Sequence, residues 1–235
     1  MREVGYVLRF FCVVPPVPRL MIGTFAVIAV IAGAAVVSDP GRAAGAVAPL
    51  LLLQLFAASS GFAVPARRGH YDLLLTRGCR RAWAAMAHWV VSIAPGVASW
   101  LAVAVVERVA SNGSSATLVA SGTWAAVFLV STLPWAFTVA LPRFSGAIGW
   151  LLVVVTATTM FSSPVLDDWT VGSTRIEALV WPAWTVLVNP VAAVGHPLGG
   201  PHLLAVTPAL AVAVIAMVLA CRWAARADVP LEAAQ

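Results

Sequence analysis

Arg67-Arg68-Gly69-His70-Tyr71-Asp72-Leu73-Leu74-Leu75-Thr76-Arg77-Gly78-Cys79-Arg80-Arg81 is a short, strongly basic segment held between two long apolar runs. Five of the chain's fourteen arginines fall within these fifteen residues, while most of the remaining sequence is too apolar for water. From Tyr71 to Arg81, helical spacing places Leu74, Leu75 and Gly78 on one side and Asp72, Thr76 and Arg80 on another. Such a helix rests its leucines on the ends of the flanking spans and presents Asp72, Arg77 and Arg80 to a cytoplasmic partner. The plainer alternative is a solvated basic loop that meets acidic lipid headgroups.

Composition extends this reading outward. The hydrophobic fraction is 61% and the charged fraction 10%, where an ordinary soluble domain carries roughly 25% charged residues. With a mean hydropathy of +0.95, the chain has more apolar surface than a soluble core of its size hides, so it reads as an integral membrane protein. All its basic side chains are arginine, and the net charge of +5 forms no stripe suited to nucleic acid.

The apolar runs predict an all-α membrane domain of six transmembrane helices, at about 20–37, 44–64, 83–106, 116–140, 146–163 and 203–221. Ser38-Asp39-Pro40-Gly41-Arg42, Ser111-Asn112-Gly113-Ser114-Ser115 and Leu141-Pro142-Arg143 punctuate them. Glu107-Arg108 is expected to end the third span where the helix leaves the bilayer. With the N-terminus inside, eleven arginines are cytoplasmic, and only Arg42, Arg108 and Arg175 are outside. This predicts a multi-pass membrane protein with both termini in the cytoplasm. Cys12, Cys79 and Cys221 then lie on or near the reducing side, and no disulfide is expected.

Residues 164–202 fit no simple span. Pro182 and Pro190 interrupt the apolar stretch from Ile176 to Val194, and Asp167, Asp168 and Glu177 make this the most acidic region. It reads as an outer-face re-entrant or interfacial region, tolerable at membrane depth only under protein or water cover. At the other terminus, Arg9 and Pro15-Pro16 break any signal-peptide pattern, and Tyr6 to Val14 reads as a short interfacial helix.

Several chemistries are missing from the sequence. It has no phosphate-loop motif, so the chain does not hydrolyse ATP alone. No span carries the paired carboxylates or buried Arg that proton-coupled transporters and pumps usually need, and without a His-Glu-x-x-His motif, a paired-cysteine metal site or a nucleophile elbow catalysis is not expected. His196 and His202, without a nearby cysteine, are too few for a metal site. His88 beside Trp89, early in the third span, reads first as an interfacial pair that snorkels. Pro95 and Pro134 mark expected kinks. The small residues Ala57-Ala58-Ser59-Ser60-Gly61 and Gly146-Ala147-Ile148-Gly149 suit close packing of the second and fifth spans.

Gly69-His70-Tyr71-Asp72-Leu73-Leu74-Leu75-Thr76, followed by Arg81, resembles the cytoplasmic signature of ABC-2-type exporter permeases. In that family a Gly-Thr-Leu-Glu-Leu-Leu-Leu run with Ser or Thr leads through a basic turn into the third span. Gly69, Asp72, the three leucines and Arg81 keep the family's spacing, and Asn189-Pro190 resembles the Asn-Pro before its last span. Gly78 in place of a common Pro, and His70-Tyr71 for Thr-Leu, depart from it. The resemblance implies a type V-like exporter in which residues 69–81 are an ATPase-coupling helix. It further implies separate cytoplasmic ATPase subunits that hold ATP and Mg, and a second identical or paralogous permease. No cofactor is expected on this chain itself. Ala87-His88-Trp89 with Pro95 also resembles haem-exporter B permeases of cytochrome c maturation, which would give His88 a functional role inside the membrane. A non-transporting assembly or anchoring protein is the alternative of a different class.

Overall fold

In a computed structural model of the chain, residues 19–39, 43–60, 80–114, 117–141, 144–162 and 201–226 are described. They form six long helices and no strand: α1 (Arg19–Ser38), α2 (Ala43–Ser60), α3 (Arg81–Ala110), α4 (Ser121–Ala140), α5 (Ser145–Ser162) and α6 (Pro201–Arg226). Arg19–Ser38, Arg81–Ala110, Ser121–Ala140 and Val206–Arg226 are long and apolar enough to cross a membrane, and Gly45–Ser59 is a shorter apolar helix. The expected interfacial helix at Tyr6 to Val14, the bulk of the basic segment and residues 164–200 of the expected outer region 164–202 lie outside the described residues, while Pro201 and His202 already belong to α6.

Helix α4 is the core of the bundle. Its span is 72% buried, against 22% for α1 and for α6, and it packs against α2, α3, α5 and α6. The wide exposed faces of α1 and α6 carry large apolar side chains, among them Val30 and Ile31 of α1 and Ile215 and Leu219 of α6. Water would not tolerate such faces, and hydrocarbon does. Proline sits inside four helices, at Pro49, Pro95, Pro134 and Pro208, and each helix runs on through it. Each removes one backbone donor, and neighbouring helices make that tolerable in an apolar bundle.

Small residues set the closest approaches. Gly149 of α5 lies directly against Ser59 of α2, leaving no room there for a Cβ. Phe56 and Trp150 pack edge to face beside them, with ring centroids 5.8 Å apart. Of the small residues expected to allow close packing, Ser59 and Gly149 meet each other. In the same way, Gly96 of α3 admits the side-chain amide of Gln54 from α2.

The third span ends differently from its expectation. Helix α3 continues past Glu107-Arg108 to Ala110. It then closes on a Schellman arrangement, in which Gly113 N–H donates to Arg108 O at 2.9 Å and Asn112 N–H to Val109 O at 3.2 Å. Asn112 takes φ 50° and Gly113 φ 80°, left-handed values that asparagine and glycine adopt most readily.

Candidate functional site at the basic end of the bundle

Helices α2, α3, α4 and α6 meet at one end of the bundle through Ala58, Ala84, Ala85, Trp135, Ala136 and Ala220. This places the end of α2, the start of α3, the end of α4 and the end of α6 together. Helix α1 joins in the same sense as α3, because Gly33 late in α1 faces Val106 late in α3. Arg19, Arg80, Arg81, Arg222 and Arg226 therefore gather at this end, and Arg108 alone of the described arginines lies at the other. Asp39 and Glu107, the two described carboxylates, also lie at the other end. Charge is segregated along the bundle, as the distribution of arginines predicts.

Of the expected coupling helix, Arg80 and Arg81 are described, whereas Gly69, His70, Tyr71, Asp72, Leu73, Leu74, Leu75, Thr76 and Arg77 lie outside the described residues. Arg80 is exposed and extended, at φ −64° and ψ 129°, and holds the N-cap position of α3. Its carbonyl accepts the N–H of Ala84 at 3.1 Å, so Arg81 is already the first residue of the helix.

One face of α3 carries Ala84, His88, Ser92, Gly96, Trp100, Val103 and Glu107, all buried. Their spacing of three or four residues makes them a continuous seam toward the protein interior. His88 is 0% exposed, so it does not snorkel at an interface. The alanines at 84 and 85 let α3 approach Trp135 and Ala220, which turns the stripe bearing His88 inward. Ser92 Oγ donates to the carbonyl of His88 at 2.7 Å and lies 3.4 Å from its Nδ1. Trp89, half-buried, meets Phe128 of α4 edge to face at 6.0 Å.

Farther along the seam, Gln54 is 2% exposed. Neither Gln54 Oε1 nor Nε2 has a hydrogen-bond partner among the described residues, and the same holds for Thr132 Oγ1 and Trp135 Nε1 of α4. Each such group costs about 1–3 kcal/mol when buried unpaired, so the interior holds unused hydrogen-bonding capacity. Inside an apolar bundle that pattern marks a candidate site. Sequence reasoning missed Gln54, although a lone amide after Leu50-Leu51-Leu52-Leu53 is a readable signal. Among the described residues no three His, Cys, Asp or Glu side chains come together as a metal site would require.

At the far end Glu107 is buried, and its carboxylate accepts the backbone N–H of Thr117 at 3.0 Å and of Leu118 at 2.9 Å. Trp100 Nε1 donates to Leu118 O at 3.0 Å. Together they clamp the 3-10 turn Thr117–Val119 onto α3 just before α4 begins. Glu107 is therefore an internal cap, because the reversal at Asn112-Gly113 brings backbone donors back to it. Compared with known proteins, the chain matches no family model, no curated sequence and no solved structure.

Proposed function

We propose that this chain is the membrane subunit of an ATP-driven exporter of the ABC-2 type, working with a separate cytoplasmic ATPase. The observation that carries the reading is the Gly69 to Arg81 segment, with its family-like spacing between two membrane helices. The described ends that flank it support the same role. Helix α2 ends at Ser60 and α3 begins at Arg81, both at the arginine-rich end of the bundle.

On this reading α2 and α5 are spans alongside the four longer apolar helices, giving six with both termini inside a bacterial inner membrane. Residues 69–81 dock on the ATPase, and nucleotide-driven closure of the ATPase pair pushes on them. Because Arg81 starts a helix of thirty residues, about 45 Å long, the push carries to the far end. There the clamp by Glu107 and Trp100 transmits it into α4. A second permease, identical or paralogous, completes a pathway for a hydrophobic or amphipathic cargo. The second reading, a haem-exporter-like permease, rests on His88, which is buried on the polar seam of α3.

Replacing Asp72, Arg77 and Arg80 together by Asn, Gln and Gln tests the coupling. The expected result is an assembled complex whose ATPase is no longer stimulated by the permease. Stimulation equal to that of the wild type would remove the segment from the mechanism, and loss of recruitment with no stimulated turnover even in the wild type would favour the anchoring protein.

A further inference from the structure

A groove of about 440 Å³ opens between α4 and α6 at the arginine-rich end. Its floor is made by Ala136 and Ala140 of α4 and Ala216 and Ala220 of α6. These are two pairs one helical turn apart, whose small side chains keep a channel between the helices. Phe137, Leu219 and Trp223 form its walls, each about half exposed to the surroundings. Arg222 and Arg226 close one end.

The two arginines are both exposed and lie one turn apart on the last turns of α6. Like charges at that spacing repel, and an anion between them removes the repulsion. No carboxylate near them supplies that anion among the described residues, since Asp39 and Glu107 belong to the opposite end. Planar guanidinium groups suit a phosphate better than a point charge would. A tryptophan stands beside them, as is common at headgroup depth. The groove below is apolar, so the fitting ligand has a phosphate at one end and hydrocarbon at the other.

We infer that this groove binds one anionic phospholipid, with its phosphate between Arg222 and Arg226 and an acyl chain along the alanine floor of α4 and α6. Charge complementarity selects an anionic lipid over a zwitterionic one, and the floor selects a lipid over free phosphate. Because the groove lies between the core helix and α6, an occupant bears on how these two helices pack.

The test is tryptophan quenching in phosphatidylcholine vesicles that carry brominated phosphatidylglycerol or, separately, brominated phosphatidylcholine. Trp223 is read as the difference between the full chain and its W223F variant. Each arginine near a membrane surface contributes about fivefold in affinity for anionic lipid. Brominated phosphatidylglycerol should therefore quench Trp223 at a mole fraction on the order of 20-fold lower than the zwitterionic lipid. R222Q should reduce this preference to about fivefold, and R222Q/R226Q should abolish it. A140F, which fills the floor and spares both arginines, should also lose it. Equal quenching by the two lipids, or a preference that survives the double substitution or A140F, would overturn the inference. So would a preference erased by inorganic phosphate at matched ionic strength, which assigns the arginines to a free anion. A preference seen only after removing residues 227–235 would assign the groove to the chain's own tail.

Discussion

Glu107 and Gln54 are both buried polar side chains, and they make opposite predictions. Glu107 accepts from two backbone donors, one buried and one part-buried, so E107A removes both bonds and should cost about 2–4 kcal/mol. E107Q keeps one acceptor and should cost roughly half as much. Thermal unfolding of the detergent-solubilised protein checks both, and an unchanged midpoint for E107A would contradict the clamp. Among the described residues Gln54 has no hydrogen-bond partner, so Q54L should stabilise the protein by about 1–2 kcal/mol. If the polar seam serves transport, the same variant loses cargo flux while gaining stability. Neither role was legible from local sequence. Glu107-Arg108 before a polar loop looks like a helix exit, and only the reversal at Asn112-Gly113 brings Thr117 and Leu118 back to the carboxylate. His88 failed for a similar reason: its neighbour Trp89 suggested an interface, whereas its place on the inward stripe of α3 leaves it 0% exposed.

Helix contacts were more readable where backbone proximity is written in residue size. The small residues of the second and fifth expected spans meet as Ser59 against Gly149. A Cβ at 149 would crowd both the Oγ and the Cβ of Ser59, and a Cβ cannot rotate away. G149A should therefore destabilise by about 1–3 kcal/mol, with S59G restoring most of the loss. Chemical denaturation of the two single variants and the double variant measures this, and simple additivity would contradict the contact. At Gly96 the neighbour is the flexible end of Gln54, so G96A should cost less than G149A in the same assay. Apolar run length predicted an all-helical membrane protein, and four of the described helices are long and apolar enough to cross a membrane, because the bilayer requirement is imprinted on composition. It misjudged their ends by a few residues, since termini depend on caps such as the Schellman turn after Ala110.

At the scale of the whole molecule, the arginine distribution predicted a bundle with one basic end. The helices do bring Arg19, Arg80, Arg81, Arg222 and Arg226 to the same end. That asymmetry requires only chain direction and span number, which is why it was legible without any contact being known. The centrality of α4 was not legible, since its apolar run reads like those of α1 and α6, and only packing separates 72% from 22% burial. The functional account places force entry at the basic end and its delivery at the clamp between α3 and α4. Its central claim, a permease driven by a separate ATPase, is tested most directly by mild-detergent affinity purification of the full chain, with mass spectrometry of what accompanies it. The account predicts a co-purifying subunit that bears a phosphate-loop motif, and its loss when residues 69–81 are replaced by a Gly-Ser linker. A chain recovered without any nucleotide-binding partner would contradict it.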